Sequence, residues 1–341
     1  MIFISINQFK NIKKMETAKK KRKKIKVFIT GGAGFIGSAL AKSLMDRGDN
    51  VVLIDNFNDY YDVNLKKDRV KKLLKGYDFK LYKADIRDAK ALERIFKKEK
   101  IDKVIHLAAM AGVRSSLLDP MLYEEVNIRG TMNLLEASVK HKIKNFVFAS
   151  SSSVYGNNTK QPFSETDSVD TPISPYAATK KATELLAHVY NHIYGLNVTA
   201  LRYFTVYGPW GRPDMALFKF TKNMFEGKAI DVYNRGKMSR NFTYIDDIVS
   251  GTIAVMDNCS GYDVMNIGGD REDTLMRYIE VLEENVGKKS KKNLMPMQPG
   301  DVPTTVADIS KLRKLGWEPT TRIEEGIKNF VDWYKEYYKV K

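Results

Sequence analysis

Cysteine and histidine are scarce in this sequence of 341 residues, and long apolar runs are missing. The single cysteine, Cys259, excludes an internal disulfide framework, and the four histidines show no metal-ligand spacing, so we predict no metal site. No apolar run approaches the ~20 residues that a membrane-spanning helix needs. We therefore expect a globular protein that has no membrane partner and works in a reducing compartment, the cytoplasm.

Acidic residues are outnumbered by basic ones, which leaves a net charge of +16. Residues 1–24 hold nine Lys and Arg against one acid, so half of the excess lies before the first predicted strand. We interpret residues 1–24 as a basic, disordered arm and expect no specific nucleic-acid partner. The smaller positive balance of the remaining chain suits an anionic small substrate.

A strand, a glycine-rich turn and a helix follow one another from Lys26 onward. Gly31, Gly34 and Gly37 recur every three residues, which suits a tight turn that lets the backbone approach a diphosphate. The next apolar run ends in Asp55, about twenty residues on, where a carboxylate binds an adenosine ribose. No arginine directly follows Asp55, so the pattern favours NAD over NADP.

Short apolar strands alternate with helical patterns over much of the chain. This alternation predicts an α/β fold with a Rossmann-type, doubly wound parallel sheet. The predicted strands of that sheet cover residues 26–30, 50–55, 79–84, 103–108, 145–149, 198–203 and 263–267. In such sheets ligands bind beyond the carboxyl ends of the strands.

The chain is expected to divide after the predicted strand 198–203, where a loop rich in turn formers begins. We assign residues 25–203 to an NAD-binding Rossmann domain, to which residues 242–268 return. Residues 204–341 then form mainly a smaller C-terminal α/β lobe that binds the substrate.

Tyr176 and Lys180 are four residues apart, so both project from one face of a predicted helix. A phenol has a pKa near 10, and nearby cations, here Lys180 and the positive nicotinamide ring, lower that pKa, which would let Tyr176 accept a proton from a sugar or alcohol hydroxyl. The serines at 150–153 end the preceding strand and offer a hydroxyl to orient the substrate oxygen. The alternative is that Tyr176 and Lys180 only form an exposed helix face.

From Ile25 to the C-terminus, the chain resembles the extended short-chain dehydrogenase/reductases, specifically the nucleotide-sugar 4-epimerases. The matching motifs are Thr30-Gly-Gly-Ala-Gly-Phe-Ile-Gly37, Asp55-Asn56, His106-Leu-Ala-Ala109, Ser151-Ser-Ser-Val-Tyr-Gly156, Tyr176-x-x-x-Lys180 and Arg202-Tyr-Phe204. The resemblance implies that Ser151, Tyr176 and Lys180 are catalytic. It implies that the cofactor NAD is bound by Gly31, Gly34, Phe35, Ile36, Gly37, Asp55, Asn56, Asp85, Ile86, Leu107, Ala108, Ala109, Asn127, Tyr176 and Lys180.

Several segments are most similar to the family members that act on UDP-glucuronate. They are Asp55-Asn-Phe-Asn-Asp-Tyr-Tyr-Asp62, Ala111-Gly-Val-Arg114, Thr205-Val-Tyr-Gly-Pro-Trp-Gly-Arg-Pro-Asp-Met215 and Met297-Gln-Pro-Gly-Asp-Val302. This similarity implies inversion of UDP-glucuronate at C4 to UDP-galacturonate, through a 4-keto intermediate. It places the sugar carboxylate against Ser151, Ser152, Ser153, Thr205 and Arg212. A planar guanidinium fork suits a carboxylate, although Arg212 is also consistent with a surface arginine.

The nucleotide half of the substrate is assigned by the same resemblance. Arg240 matches an arginine that grips the diphosphate, Tyr233 an aromatic that stacks on uracil, and Asp301 an acid that binds the uridine ribose. Arg114 is either a substrate-side cation or part of a loop salt bridge. The alternatives are that Tyr233 is a core residue and that Arg240 faces solvent, and both remain open.

Three other functions are compatible with the same motifs. The first is the same epimerisation on UDP-glucose or UDP-N-acetylglucosamine, and the second is decarboxylation of UDP-glucuronate. The third is a dinucleotide-binding regulator without catalysis, against which the complete set of Ser151, Tyr176 and Lys180 argues. The family resemblance also implies a homodimer formed through helices of the cofactor domain.

Overall fold

A parallel sheet of seven strands organises the computed structural model, which describes residues 24–298 and 300–341. The strands of these residues are β1 (Lys26–Thr30), β2 (Asn50–Asp55), β3 (Lys80–Lys83), β4 (Lys103–His106), β5 (Asn145–Ser151), β6 (Asn197–Tyr203), β7 (Thr205–Tyr207), β8 (Ile230–Val232), β9 (Ser239–Arg240), β10 (Phe242–Tyr244), β11 (Tyr262–Ile267), β12 (Asp273–Thr274), β13 (Lys292–Leu294) and β14 (Thr304–Thr305). The large sheet has the order β11-β6-β5-β4-β1-β2-β3. The shorter strands pair as β10–β7, β13–β8 and β12–β9–β14.

Helices cover both faces of the large sheet. The α-helices of the described residues are α1 (Phe35–Asp46), α2 (Val63–Asp68), α3 (Ala89–Glu99), α4 (Val113–Leu118), α5 (Pro120–Tyr123), α6 (Gly130–Lys140), α7 (Pro175–Tyr194), α8 (Ala216–Phe225), α9 (Ile245–Asn258), α10 (Leu275–Val286), α11 (Ser310–Arg313) and α12 (Ile323–Tyr338). A π-helical turn, Arg69–Leu73, continues α2, and another, Glu124–Arg129, joins α5 to α6.

Alternation along β1 explains the two layers of helices. Ile29 packs in one buried cluster with Leu40 of α1 and Ile248 of α9, whereas Phe28 packs in a second cluster with Leu134 of α6. Successive side chains of a strand point to opposite faces, so a strand that is apolar throughout must be covered on both sides. The doubly wound parallel sheet predicted from the sequence is confirmed.

The chain returns to the large sheet after leaving it beyond β6. Strand β11 pairs with β6 in parallel, from Tyr262 beside Val198 to Ile267 beside Tyr203. This strand lies inside the segment 242–268 that was assigned to the cofactor domain. The division of function between two domains itself stays a prediction.

The predicted basic arm, residues 1–24, lies outside the described residues except for Lys24. Among residues 24–298 and 300–341, no helix has the length and apolar character needed to cross a bilayer.

Candidate active site

A cavity of about 760 Å³ opens at the carboxyl ends of the central strands and extends toward the C-terminal part of the chain. This volume is within the range of about 300–1,000 Å³ that is common for small-molecule sites. The residues predicted to bind cofactor or substrate, or to act in catalysis, all line this cavity except Asn127.

The glycine turn forms one end of the cavity. The amide of Gly34 donates to the carbonyl of Gly31 at 2.9 Å, and Gly31 has a φ of +68°, which disfavours residues with a Cβ. A Cβ at Gly37 would overlap the same Gly31 carbonyl. No side chain caps the start of α1, so its first amides are available to an anion. The turn therefore fits a dinucleotide diphosphate.

Asp55 stabilises this turn from the end of β2. Its Oδ2 accepts a hydrogen bond from the Ala33 amide at 3.0 Å, and its Oδ1 accepts one from the Phe57 amide at 2.8 Å. A carboxylate has about four acceptor positions, so two amide bonds leave capacity for ribose hydroxyls. Nearby, Asn56 donates to Asp85 at 2.9 Å and joins the ends of β2 and β3.

Asn127 lies behind the cavity wall. It is 2% exposed, and its Nδ2 donates to the Met110 carbonyl and to Thr179 Oγ1, each at 3.0 Å. Its Oδ1 accepts from the Met110 amide at 2.8 Å. Asn127 thus ties the loop after β4 to α7. Its position supports a bracing role better than the direct cofactor contact implied by the resemblance.

Lys180 and Tyr176 lie in the first turns of α7, which Ser174 caps by accepting from the Ala177 amide at 3.1 Å. Lys180 Nζ donates to the Ala149 carbonyl at 2.6 Å and lies 5.9 Å from the centroid of the Tyr176 ring. Burial lowers the pKa of Lys180 to about 8, against a smaller opposing effect of the Glu184 charge. At pH 7 Lys180 is therefore still mainly protonated, but it loses its proton more readily than an ordinary lysine.

Burial raises the pKa of the Tyr176 phenol. The nearby Ser151 hydroxyl and the charge of Arg212 act in the opposite direction but do not outweigh burial. The sequence predicts that Lys180 and the positive nicotinamide ring together lower the pKa of Tyr176, whereas in the protein without the cofactor burial has the larger effect. The reason is that the phenol is desolvated, while the ammonium is directed at a backbone carbonyl.

Ser150 and Ser151 have different surroundings although they are neighbours. Ser150 donates to Glu184 Oε1 at 2.5 Å, and Glu184 in turn accepts two hydrogen bonds from the buried Arg202, at 2.9 and 2.8 Å. Ser151 lies beside Tyr176. Because consecutive strand residues face opposite ways, only one of the two hydroxyls reaches the reacting phenol.

Arg212 extends into the cavity from the loop after β7. Its Nε and Nη2 donate to the two oxygens of Asp214 at 3.0 and 2.5 Å, and its Cζ lies 5.6 Å from the Tyr60 ring centroid. Its Nη1 has no hydrogen-bond partner within residues 24–298 and 300–341, and its side chain is 23% exposed. One side of the guanidinium is thus held by the protein, and Nη1 is left for a ligand.

Arg114 connects the two lobes at the far end of the cavity. Its Cζ lies 5.4 Å from the ring centroid of Tyr233, and its Nη2 is 3.9 Å from Asp301 Oδ2. Both alternatives for Arg114 are therefore compatible with its position, since it forms an ion pair and also lines the cavity. Tyr233 lines the cavity as well.

Arg240 directs its guanidinium at backbone carbonyls. It donates to Ser239, Pro303 and Val302 at 2.7–2.8 Å. These bonds use both N–H groups of Nη1 and one of Nη2, so Nε and the second N–H of Nη2 are left for a diphosphate.

Several other cavity residues had no assigned role in the sequence. They are Tyr60, Tyr61, Lys66, Asp214 and Lys219. The motif Asp55–Asp62 was the available signal for the two tyrosines. Lys66 gave none, because a lysine-rich helix resembles a solvated face, yet this side chain is buried and donates to the Asn58 carbonyl at 2.7 Å.

Comparison with known proteins places this geometry among related enzymes. Residues 27–268 match the model of the NAD dependent epimerase/dehydratase family. A UDP-glucuronate 4-epimerase of Thermodesulfobacterium geofontis is 49% identical over 90% of this chain and 95% of its own length. The crystal structure of the Bacillus cereus UDP-glucuronic acid 4-epimerase with UDP-glucuronic acid and NAD has a TM-score of 0.87 and 38% identity, over 92% of this chain and all of that one. A Thermotoga maritima UDP-glucose 4-epimerase with UDP-glucose has a TM-score of 0.84 and 33% identity, with the same coverage.

Proposed function

The chain belongs to the NAD dependent epimerase/dehydratase family, and we propose that it inverts C4 of UDP-glucuronate to give UDP-galacturonate, with NAD as cofactor. The observation that carries this proposal is the presence of Arg212 in the same cavity as Tyr176, close enough for its charge to act on the phenol. A uronate presents a carboxylate and an adjacent C4 hydroxyl. The cavity offers a partner for each.

The protein residues act on the proton of the C4 hydroxyl. Ser151 orients the hydroxyl oxygen, and Tyr176 accepts its proton and later returns it. Lys180, whose Nζ lies 5.9 Å from the Tyr176 ring centroid, adds its positive charge to that of the nicotinamide ring in favouring the phenolate. The sugar must present both faces of C4 in turn, so the cavity has to let the flat 4-keto ring turn over.

The glycine turn and the strand ends around it fit NAD. Gly31, Gly34 and Gly37 would hold the diphosphate, Asp55 the adenosine ribose, and Lys180 with Tyr176 the nicotinamide end. When bound, NAD⁺ would supply the hydride acceptor and donor for C4, and its positive ring would favour the Tyr176 phenolate.

Arg212 has a second task once C4 is a ketone. The 4-keto uronate is a β-keto acid, which loses CO₂ readily when its carboxylate is poorly solvated. A guanidinium that pairs with the carboxylate stabilises its negative charge, so the electrons are less available for the loss of CO₂ and the intermediate is protected. This charge pairing separates the proposed epimerase from a decarboxylase.

The two ends of the cavity belong to different domains, one for the cofactor and one for the substrate. We assign cofactor binding to residues 25–203 with 242–268, and nucleotide-sugar binding mainly to residues 204–341. Thr205, Ser152 and Ser153 surround the carboxylate, while Tyr233, Arg240 and Asp301 bind the UDP group, with Arg114 closing over Tyr233.

A panel of UDP-sugars tests the function. Purified protein is incubated with UDP-glucuronate, UDP-galacturonate, UDP-glucose and UDP-N-acetylglucosamine, the epimers are resolved, and CO₂ is measured. We expect interconversion of the two uronates and little release of CO₂. Turnover of UDP-glucose without UDP-glucuronate would overturn the substrate assignment, and stoichiometric CO₂ would identify a decarboxylase.

We also propose a homodimer formed through an apolar stripe on α7. Leu185, Val189 and Ile193 recur every four residues and are 57, 44 and 61% exposed. A continuous row of large exposed side chains on one helix face fits a self-complementary, two-fold interface.

Light scattering tests this interface. We expect a dimer for the native chain and a monomer for Val189→Glu, because the new charge would be buried in the contact. Lys288→Glu, on the distant loop after α10, serves as the control and should stay dimeric. An unchanged mass of Val189→Glu contradicts the interface.

We place the protein in the cytoplasm, where imaging of the tagged chain can check the assignment.

A further inference from the structure

Arg69 is a buried cation at the start of the π-helical turn that continues α2. Its side chain is 0% exposed. Its five hydrogen bonds within the described part of the chain all go to neutral oxygens, namely those of Ala33, Tyr61, Trp210 and Gly211. A buried guanidinium that is satisfied only by neutral acceptors is costly, so a hydrophobic residue would serve stability better. This cost indicates a role beyond packing.

The bonds of Arg69 extend to both ends of the active site. Nη1 donates to the Ala33 carbonyl in the glycine turn at 3.3 Å. The other nitrogens of the guanidinium donate to the loop before Arg212. Nε and Nη2 both donate to the Trp210 carbonyl, at 3.1 and 2.6 Å. Nη2 also donates to the Gly211 carbonyl at 3.3 Å. One side chain therefore joins the cofactor turn to the substrate loop.

Trp210 adopts a backbone conformation that needs such support. Its φ is +63°, in the left-handed region that bulky residues rarely occupy. The Trp210 ring lies 5.2 Å from both Trp333 and Tyr337 of α12. Packing holds the ring, and Arg69 holds the carbonyl, so the direction in which the chain continues to Arg212 is determined from two sides.

We propose that Arg69 is a positioning residue that fixes the Arg212 loop against the glycine turn and thereby sets the selectivity for the sugar carboxylate. This inference rests on the proposed UDP-glucuronate activity. Arg69 lies too deep to touch the substrate, and it acts through the position of Arg212. Lysine in its place keeps the charge but lacks the planar fork that reaches three carbonyls in two segments.

The test compares two ligands in protein loaded with NAD⁺. The affinities of UDP-glucuronate and of UDP are measured by calorimetry for the native chain, for Arg69→Lys and for Arg69→Met. We expect Arg69→Lys to weaken UDP-glucuronate by about tenfold, because a displacement of about 1 Å is costly at an oriented contact. UDP, which has no sugar carboxylate, should change by less than about twofold. Arg69→Lys carries the test if Arg69→Met does not fold.

Two controls separate positioning from general stability. Trp317→Phe removes the buried bonds from Nε1 to the Asp247 carbonyl and Ser250 Oγ, at 3.1 and 3.0 Å, away from the cavity. It should lower Tm and leave the ratio of the two affinities unchanged. In an Arg212→Met background, Arg69→Lys should have no further effect on that ratio, since the group it positions is gone.

Specific results overturn the inference. An unchanged ratio in Arg69→Lys, or an equal loss for both ligands, would show a purely structural role. A further fall of the ratio in the Arg212→Met background would show that Arg69 acts by another route. If the native chain fails to epimerise UDP-glucuronate in the panel of UDP-sugars, the proposed function fails. If the native chain is active but Arg69→Lys leaves the ratio of the two affinities unchanged, only the positioning role of Arg69 is overturned.

Discussion

The catalytic end and the carboxylate end of the cavity are built in different ways. At the catalytic end, Tyr176 and Lys180 are one turn apart on a capped helix, and Ser151 ends a central strand. At the carboxylate end, Arg212 lies on a loop whose position depends on Asp214 beside it and on Arg69, far away in sequence. Regular secondary structure positions the residues proposed for catalysis, and tertiary contacts position the residue proposed for substrate selectivity.

This difference implies that the two ends can be altered independently. Damage to the helix end should stop the reaction for every substrate. Damage to the loop end should affect the uronate most, because a neutral sugar makes no use of the guanidinium charge.

Tyr176→Phe is expected to have the largest effect on the catalytic end. Loss of the proton acceptor should lower kcat by about 10³-fold, within the usual range for general acid–base groups, while affinity for UDP-glucuronate changes little. Steady-state kinetics and calorimetry measure the two quantities. A variant that retains more than a tenth of native kcat would remove Tyr176 from the proposed role.

Arg212→Met should act mainly on binding and on the fate of the intermediate. We expect the KM for UDP-glucuronate to rise by about 10²-fold, since a charge-assisted contact of about 2–3 kcal/mol is lost, and we expect CO₂ release to increase. UDP should bind as before. Arg277→Met, which removes an equal charge from exposed ion pairs on α10, is the matched control and should leave KM unchanged. Equal weakening of UDP and UDP-glucuronate would place Arg212 outside carboxylate recognition.

Lys180→Met should change the free energy of unfolding, because Lys180 is a buried cation at the catalytic end and its burial is unfavourable. The pKa of Lys180 is about 8 in the folded protein and 10.5 in its ordinary state, so the unfolded chain binds more protons between these values. The stability of the native chain therefore rises with pH in this window. Below it, burial of the charge costs about 3 kcal/mol, and the bond to Ala149 returns about 1 kcal/mol.

Urea unfolding of the apoprotein measures this balance. Lys180→Met should be more stable than the native chain by about 2 kcal/mol at pH 7, and the gain should vanish as the pH approaches 10.5. Lys181→Met, whose side chain is 22% exposed and pairs with Asp170, should show no such trend. A gain that is constant with pH would show that the charge of Lys180 is not its cause.

The large sheet was predictable because its signals are local. All seven of its strands overlap strands predicted from the sequence, and β1 shows why, since Val27–Thr30 are buried between the two helix layers. The short strands of the C-terminal lobe were not predicted. Pairs such as Ser239–Arg240 with Thr304–Thr305 contain two residues each and form only because tertiary contacts bring them together.

The site was predictable to the extent that its residues belong to local motifs. Tyr176, Lys180, Asp55 and the glycine turn are such residues, and they line one cavity, although their roles stay predictions. The tuning of the phenol was not predictable, because desolvation depends on the packing around it. The resemblance placed Asn127 beside the cofactor, but the direction of its side chain depends on Met110 and Thr179.

By itself the sequence determined the doubly wound sheet, the glycine turn at the end of β1 and the spacing of Tyr176 and Lys180, because each follows from a short repeat of backbone geometry. Only the tertiary structure decided that Arg212 is held by Asp214 and that Arg69 ties its loop to the glycine turn. The bonds from Arg69 to Trp210 and Gly211 join residues that are 141 and 142 positions apart. These bonds are strong because they are buried, and burial cannot be predicted from a local pattern of residues.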